Sequence, residues 1–208
     1  TTVEVQIVTM EPKIPFDVTD AIKARLRDYT EQVTSGKMEF STLARLYSED
    51  PESSKRGGEL GFMGKGQLLP EFANVAFNLN DPKRVSKIVE TEYGFHIIQL
   101  VEKRGDRINC RHILLKPKVS GKELTDATQR LDSLYKDLQA NKFSFEEAAT
   151  FVSYDKDTRN NKGLMVNKNG ESVNLGTPKF ELQELPQEIS KIVYNMKPGD
   201  ISKPFTMI

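Results

Sequence analysis

Apolar residues along the chain follow two periods, which together predict a mixed α and β fold. Alternation of apolar and polar side chains predicts strands at residues 3–8, 85–89 and 94–101. Apolar residues at helical spacing predict helices at residues 20–34, 40–47 and 70–78. Residues 50–67 follow neither period and are rich in Ser, Lys and Gly, which favours a loop.

The ends of the first predicted helix carry capping signals. Asp17 or Thr19 is placed to N-cap it, because a short polar side chain there can accept a hydrogen bond from a free backbone N–H. Gly36 is placed to end it, because glycine adopts the left-handed backbone conformation that commonly follows a helix. These signals predict a long helix that ends shortly before the second one begins.

The pattern then repeats along the chain. Residues 36–50 (GKMEFSTLARLYSED) match residues 141–155 (NKFSFEEAATFVSYD), with Lys, Phe, Ala, Ser and Asp in register. Two shorter matches follow in the same order, FNL with YNM at 77–79 and 194–196, and VSK with ISK at 85–87 and 201–203. Such ordered self-similarity predicts two copies of one domain. We place them at residues 1–106 and 107–208.

The second copy follows the plan of the first. Its predicted elements are a strand at 108–115, helices at 124–140, 143–152 and 186–196, and the start of a strand at 201–207. The counterpart of residues 95–101 falls beyond residue 208, so the second domain is expected to lack its last strand, and both ends look cut from a longer protein. The predicted fold class is α+β, with two tandem domains that each place helices around a small, mostly antiparallel sheet.

Composition and charge argue against several classes of function. The chain has 30 Lys and Arg against 30 Asp and Glu, so its formal charge is zero and nothing indicates nucleic-acid binding. It has no apolar run near the ~18–20 residues of a membrane span. One cysteine, Cys110, rules out an internal disulfide framework, and two histidines leave little for a metal centre. We expect no metal and no cofactor.

Four spaced motifs in the first copy resemble one family. They are FSTLARLYSED at 40–50, GGELG at 57–61, GKGQLLPEF at 64–72 and YGFHII at 93–98. This set resembles the parvulin-type peptidyl-prolyl cis-trans isomerases, and CRHILL at 110–115 is similar to the family's first strand. A tandem pair of such domains resembles the SurA-like chaperones of the bacterial envelope, which are periplasmic foldases of outer-membrane proteins.

The resemblance implies a site in the first copy that binds a proline ring and twists the amide before it. The implied substrate-binding residues are Leu60, Met63, Gln67, Leu68, Phe72 and Tyr93. Asp50 stands where the family has Cys or Asp near the reacting amide, and His96 matches the second of the family's paired histidines. Alignment of residues 5–8 with 111–114 puts Gln6 in the place of the first histidine, where it can hydrogen-bond but not titrate.

The second copy departs further from the family pattern. It keeps His112 and Asp155, and Leu185 and Ile189 lie in the segment that replaces residues 64–72, with Ile189 in the place of Phe72, but its glycine-rich loop is eroded. We therefore expect the second copy to bind peptide with weak or absent isomerase activity.

Simpler roles remain open for the same residues. His96 and His112 can be hydrogen-bonded core histidines, Asp50 can be a cap, and Leu60, Leu68 and Phe72 can be plain core. Cys110 precedes a buried strand and is expected to be inert.

The function that fits best is a periplasmic peptidyl-prolyl isomerase that assists protein folding. Its expected partners are unfolded or proline-containing polypeptides, outer-membrane protein precursors among them. The first copy is the better catalyst, because it keeps the pocket residues together with His96. The alternative is a non-catalytic chaperone whose two grooves only bind polypeptide, an interpretation favoured by Gln6 and by the decay of the second copy.

Overall fold

The computed structural model describes residues 1–207, which divide into two compact units. We call residues 14–118 the contiguous unit, and residues 1–13 together with the chain from residue 119 onward the discontinuous unit. None of the described helices is both long and apolar enough to cross a membrane.

The contiguous unit is a four-stranded antiparallel sheet with helices on both faces. Its helices are α1 (Phe16–Thr34), α2 (Phe40–Tyr47), α3 (Pro51–Ser54) and α4 (Pro70–Ala76). Its strands are β1 (Glu59–Gly64), β2 (Val89–Thr91), β3 (Gly94–Arg104) and β4 (Arg107–Leu115), in the sheet order β1-β4-β3-β2. The central strands β3 and β4 are largely buried on both faces because helices cover both.

Two clusters of buried side chains hold this unit together, one on each face of the sheet. Helices α1 and α2 bring Leu26 and Phe40 against Ile97 and Ile113. On the other face α4 brings Phe72 against the buried strand residues Ile98, Leu100, Ile108 and Cys110. Cys110 is buried, and burial raises the pKa of its thiol to about 11, which disfavours the reactive thiolate.

The discontinuous unit repeats the helices of this plan, and its extended segments within residues 1–207 pair through isolated bridges rather than assigned strands. Its helices are α5 (Gly121–Gln139), α6 (Phe145–Val152), α7 (Lys156–Arg159) and α8 (Gln187–Val193). Residues 3–10 run extended along one side, where Val3 pairs with Phe180 and Gln6 with Leu164 as isolated bridges. The α+β fold class with two tandem domains is thus confirmed.

The boundary predicted after Asp106 is wrong. Residues 104–107 form a tight turn, and β3 and β4 pair from Arg104 with Arg107 to Phe95 with Leu115, with one shift of register between Leu100 and Glu102. Strand β4 therefore completes the core of the contiguous unit, whereas the segment Val3–Val8 packs in the discontinuous unit. Residues 3–8 begin the first repeat but lie in the discontinuous unit, which the rest of the second repeat forms. Strand β4 begins the second repeat but lies in the contiguous unit, which the rest of the first repeat forms.

Three local expectations also change. The loop expected at residues 50–67 contains α3 and β1, because glycines in β1 hide its alternation. Helix α1 begins at Phe16 after Pro15, so Asp17 lies inside its first turn, where a carboxylate complements the helix dipole, and neither Asp17 nor Thr19 is its N-cap. The strand expected at 85–89 is reduced to β2, and residues 201–207 form no assigned strand.

Candidate functional site

Two histidine rings meet on one face of the contiguous unit's sheet. His96 lies on β3 and His112 on β4, and the antiparallel register puts both side chains on the same face. Their Nδ1 atoms are 3.0 Å apart, and the rings stack with centroids separated by 5.2 Å. Both residues are buried, with 3% and 6% of their surface exposed. A separation of 3.0 Å requires one Nδ1 to donate and the other to accept.

The neighbours of the two rings decide which nitrogen carries each proton. His112 Nε2 lies 2.7 Å from Asp50 Oδ2, and an ionised carboxylate can only accept, so His112 Nε2 donates. With His112 neutral, its Nδ1 accepts from His96 Nδ1. His96 Nε2 then accepts from the Thr91 hydroxyl at 2.7 Å. One consistent set of protons therefore runs from Thr91 to Asp50 with both imidazoles neutral.

Asp50 connects this chain to a helix start. Its Oδ1 accepts from the Glu52 backbone N–H at 3.2 Å, which makes it the N-cap of α3. Its Oδ2 accepts from the buried Ser53 hydroxyl at 2.5 Å, and that hydroxyl lies 3.0 Å from His112 Nε2. The cap role and the site role therefore belong to one carboxylate.

The pKa shifts of the three groups favour neutral histidines beside a charged Asp50. Burial, together with the nearby His112, lowers the pKa of His96 to about 4. Burial also lowers the pKa of His112, although the hydrogen bond to Asp50 opposes it. Burial would raise the pKa of Asp50, but the hydrogen bonds from Ser53 and His112 outweigh it and leave that pKa below its usual value.

An aromatic ring stands over both histidines. Phe72 contacts each ring edge-on, with its centroid 5.4 Å from His96 and 5.7 Å from His112. Leu60 and Leu68 are only partly buried and pack against the same apolar cluster as Phe72. The site thus joins an apolar bed, part of it open to solvent, to a buried polar chain.

The remaining substrate-binding candidates lie on the turns and strands around this bed. Gln67 Oε1 accepts from the Gly64 backbone N–H at 2.7 Å and so closes the glycine-rich turn. Met63 is partly buried on β1, opposite Ile108 of β4. Tyr93 is 57% exposed, and its backbone N–H donates to Thr91 Oγ1 at 3.2 Å.

The assignment of Gln6 as the partner of His96 is wrong, since His112 fills that role. Gln6 belongs to the discontinuous unit, where its side chain donates to Glu146 Oε1 and to the Lys162 carbonyl oxygen. The alignment behind the assignment is displaced by one residue. The Gly58 carbonyl accepts from His112 N and the Gly163 carbonyl accepts from Ile7 N, so Ile7 is the structural counterpart of His112.

The second-domain candidates separate in the same way. His112 lies in the contiguous unit, whereas Asp155 caps α7 and accepts from the Thr158 hydroxyl at 2.5 Å. Leu185 and Ile189 are buried, at 5% and 4% exposure, in the core of the discontinuous unit. In this unit Asp155 and Thr158 repeat the pair Asp50 and Ser53, but an isoleucine replaces the histidine.

Sequence reasoning missed two members of the site, Thr91 and Ser53. A signal for Ser53 was present, because Ser53 and Thr158 both follow an aspartate of the repeat by three residues. Thr91 carried no such signal, because the matching position of the second copy is Met207. Within residues 1–207 no three His, Cys, Asp or Glu side chains come together as a metal site.

Comparison with known proteins identifies one family and a set of named relatives. The profile described as "Rotamase: PPIC-type PPIASE domain" matches residues 13–102 and 112–207. A protein named Chaperone SurA from Cupriavidus metallidurans is 31% identical over 207 residues, which cover 92% of this chain and 38% of that protein.

Shorter matches reach proteins of the same name in two other bacteria. Identity is 44% over 85 residues in Shewanella sp. (strain MR-7), covering 41% of this chain and 19% of the relative. It is 36% over 104 residues in Legionella pneumophila (strain Lens), covering 50% and 24%. The chain spans well under half the length of these relatives. Since the rotamase profile covers most of the chain in two copies, the protein belongs to the family of PPIC-type, or parvulin-type, peptidyl-prolyl isomerase domains.

Proposed function

We propose that the contiguous unit catalyses cis–trans isomerisation of X–Pro bonds in unfolded or extended polypeptides. The observation that carries the proposal is the chain of hydrogen bonds through both histidines to Asp50, set beneath Phe72. Sequence reasoning had divided these histidines between two incomplete sites. One complete pair in one unit favours catalysis over simple binding.

Rotation about a peptide bond needs few catalytic groups, and a site of this kind can supply them. The barrier to rotation about a peptide bond is ~18–20 kcal/mol and comes from amide resonance, so neither a nucleophile nor a metal is required. The site must bind the twisted amide better than the planar one. An apolar bed formed by Leu60, Leu68 and Phe72 would hold the proline ring away from water. In these apolar surroundings the planar amide is disfavoured, because it is more polar than the twisted one.

Asp50 is the polar group best placed to meet the reacting amide. Its side chain is 20% exposed, whereas that of His112 is 8% exposed. In this proposal the two histidines are positioning residues, which fix the orientation of the Asp50 carboxylate and the position of the Phe72 ring. Neutral imidazoles serve this role because they donate and accept without placing a second charge in a buried site.

The discontinuous unit is proposed to bind polypeptide without catalysis. Ile7 replaces the histidine, so Asp155 lacks the imidazole donor that holds Asp50. The name of the relatives, Chaperone SurA, supports a chaperone role. A location in the bacterial envelope, with outer-membrane protein precursors among the clients, is proposed from the resemblance of the tandem domains to SurA-like chaperones. The second candidate function, a chaperone without catalysis, draws on the same name.

The test measures cis–trans exchange of a proline peptide by NMR with the full 208-residue chain. We expect the chain to accelerate exchange, and Phe72→Ala or Asp50→Asn to lower the acceleration at least tenfold. Ile189→Ala and Asp155→Asn change the matched positions of the discontinuous unit and should leave it unchanged. Binding of the peptide near Phe72 with no acceleration of exchange would support the non-catalytic chaperone instead.

A further inference from the structure

The carboxylate of Asp50 carries a negative charge that no cationic side chain balances. It accepts hydrogen bonds from the Ser53 hydroxyl, from His112 Nε2 and from the Glu52 backbone N–H, and all three donors are neutral groups. Hydrogen bonds of this kind favour the ionised form of a carboxyl group. Among residues 1–207 no lysine or arginine forms an ion pair with Asp50. Because its side chain is 20% exposed, a bound substrate can reach this charge.

The charged residues that follow and precede Asp50 in the chain do not supply the missing cation. Arg56 is engaged elsewhere, because its Nε donates to a carbonyl oxygen of β1 at 3.4 Å. Lys55 is exposed at the end of α3. Glu49 and Glu52 lie on either side of Asp50 in the chain and add negative charge. The electric potential at this end of the site is therefore negative.

The matched carboxylate of the discontinuous unit, Asp155, has a cation near it. Lys168 Nζ lies 2.9 Å from Asp157 Oδ2. The hydrogen bond to Asp157 and the charge of Asp157 raise the pKa of Lys168, and the charge of Asp155 adds to this effect. No lysine or arginine is among the groups that shift the pKa of Asp50. The unbalanced charge thus belongs to the unit that we propose to be catalytic, and not to the fold that both units share.

The position of Asp50 determines which part of a substrate meets this charge. With the proline ring on Leu60, Leu68 and Phe72, the Asp50 carboxylate faces the amide before the proline. The residue before the proline supplies the carbonyl group of that amide, so its side chain starts one bond away from the carbonyl carbon. Even in bulk water, two unit charges about 4 Å apart change an equilibrium about fivefold, and the effect is larger at a protein surface.

We propose that Asp50 is a specificity-determining residue of the contiguous unit, which favours X–Pro bonds with Lys or Arg before the proline and disfavours those with Asp, Glu or a phosphorylated side chain there. The inference rests on the proposed function, because it concerns the substrate of the same site. A cationic side chain would balance the charge of Asp50, whereas an anionic one would be held beside it without a counter-charge. Neutral side chains lie between these two classes.

The probes are three peptides that differ only in the residue before the proline, which is Lys, Gln or Glu. Gln has the shape of Glu without its charge and is the neutral reference. Cis–trans exchange is measured by NMR with the full 208-residue chain. At low salt we expect kcat/KM to be at least about fivefold higher for the Lys peptide than for the Glu peptide, with the Gln peptide between them.

A salt series separates the effect of charge from the effect of shape. Between about 0.01 M and about 1 M salt the Debye length falls from about 30 Å to about 3 Å. We expect the ratio between the Lys and Glu peptides to fall by about half or more over this range. The rate for the Gln peptide should stay nearly constant, because this peptide has no charge beside Asp50.

Asp50→Asn tests whether the preference belongs to this one side chain. The variant removes the charge with little change of shape, and it lowers the acceleration for all three peptides, so binding of the peptides is measured beside exchange. We expect the dissociation constants of the Lys and Glu peptides to differ for the wild type and to become equal for the variant. A merely structural role of Asp50 would lower all rates by one factor and leave the preference in place.

Glu31→Gln is the matched control. It also removes one negative charge, but Glu31 is an exposed residue of α1, which packs on the opposite face of the sheet from Phe72. The preference should therefore remain at its wild-type value. If Asp50→Asn fails to fold, Asp50→Cys replaces it, because a free thiol with a pKa of about 8.5 is uncharged at about pH 6.5.

Three results would overturn the proposal. They are equal rates for the Lys and Glu peptides at low salt, a preference that salt does not weaken, and a preference that persists in Asp50→Asn. The last result would assign the selection to another charge, such as Glu49 or Glu52. No acceleration of any peptide would overturn the proposed catalysis and this inference with it, whereas equal acceleration of all three would overturn only the inference.

Discussion

At the scale of single residues, the two histidines show how a buried polar pair is kept neutral. Each imidazole has one donor and one acceptor, and the chain from Thr91 to Asp50 uses all four nitrogens. An additional proton would put a charge into a site with little access to water. The neutral state is therefore part of the architecture and not a consequence of the solvent pH alone.

This gives a stability that depends on pH. The pKa of His96 is about 4 in the folded chain, against 6.5 for a free histidine. Between these values the unfolded chain binds a proton that the folded chain does not, so stability falls as the pH falls from 6.5 toward 4. The loss is at most about 3 kcal/mol, and it stops growing below the folded pKa.

The measurement is urea unfolding of the wild type and of His96→Asn at pH 7 and pH 4.5. We expect the free-energy difference between wild type and variant to be larger at pH 7, because only the wild type loses the His96 contribution in acid. The same difference at both pH values would contradict a neutral buried His96.

At the scale of elements, glycine geometry decides how closely β1 approaches β4. Gly58 has φ of +85°, and a Cβ there would collide with the main-chain oxygen of His112. Gly163 repeats this approach to Ile7 in the discontinuous unit, so the contact belongs to the fold of both units. It brings the connection from α3 to β1 against the strand that carries His112.

Gly58→Ala should therefore destabilise the contiguous unit by about 2–5 kcal/mol, since left-handed strain and overpacking add. Gly61→Ala is the matched control, because its φ is +80° but no atom lies within 4 Å of its Cβ position. The control should lose only about 1–2 kcal/mol from the backbone strain. Thermal or urea unfolding of the two variants gives the comparison, and equal losses would show that the close approach has no energetic weight.

The elements themselves were largely predictable, and the pairing between them was not. Apolar spacing located α2, α4 and β3 to within a few residues, because each has one buried face or two. Strand β1 was not predicted, because its glycines have no side chains and so interrupt the alternation of apolar and polar residues. The partner of His96 was not predicted, because periodicity does not say whether residues 3–8 or β4 pairs with β3. A one-residue error in the alignment then replaced Ile7 by Gln6.

At the scale of the whole molecule, the site depends on a segment that the sequence repeat assigns to the wrong copy. The contiguous unit needs β4, which pairs with both β1 and β3 at the centre of its sheet. A chain cut at the repeat boundary, residues 1–106, would lack His112 and the central strand. It would also keep residues 1–13 without their packing partners.

Residues 14–118 should therefore fold alone and retain the proposed isomerase activity, whereas residues 1–106 should not fold. Circular dichroism and the dispersion of NMR signals test folding, and proline exchange tests activity. A folded and active 1–106 fragment would show that the segment Val3–Val8 can replace β4, and that the exchange of first strands is not required.

The exchange of strands also has a consequence during synthesis on the ribosome. The contiguous unit is complete once residue 118 has emerged, but Val3 pairs with Phe180, about 175 residues later in the chain. At ~5–20 residues per second this interval is roughly 10–35 s. Until then the pairing of residues 3–8 is incomplete, because Val5 and Ile7 bond to Met165 and Gly163 and Val3 bonds to Phe180. An apolar segment of the chain therefore remains exposed during much of its synthesis.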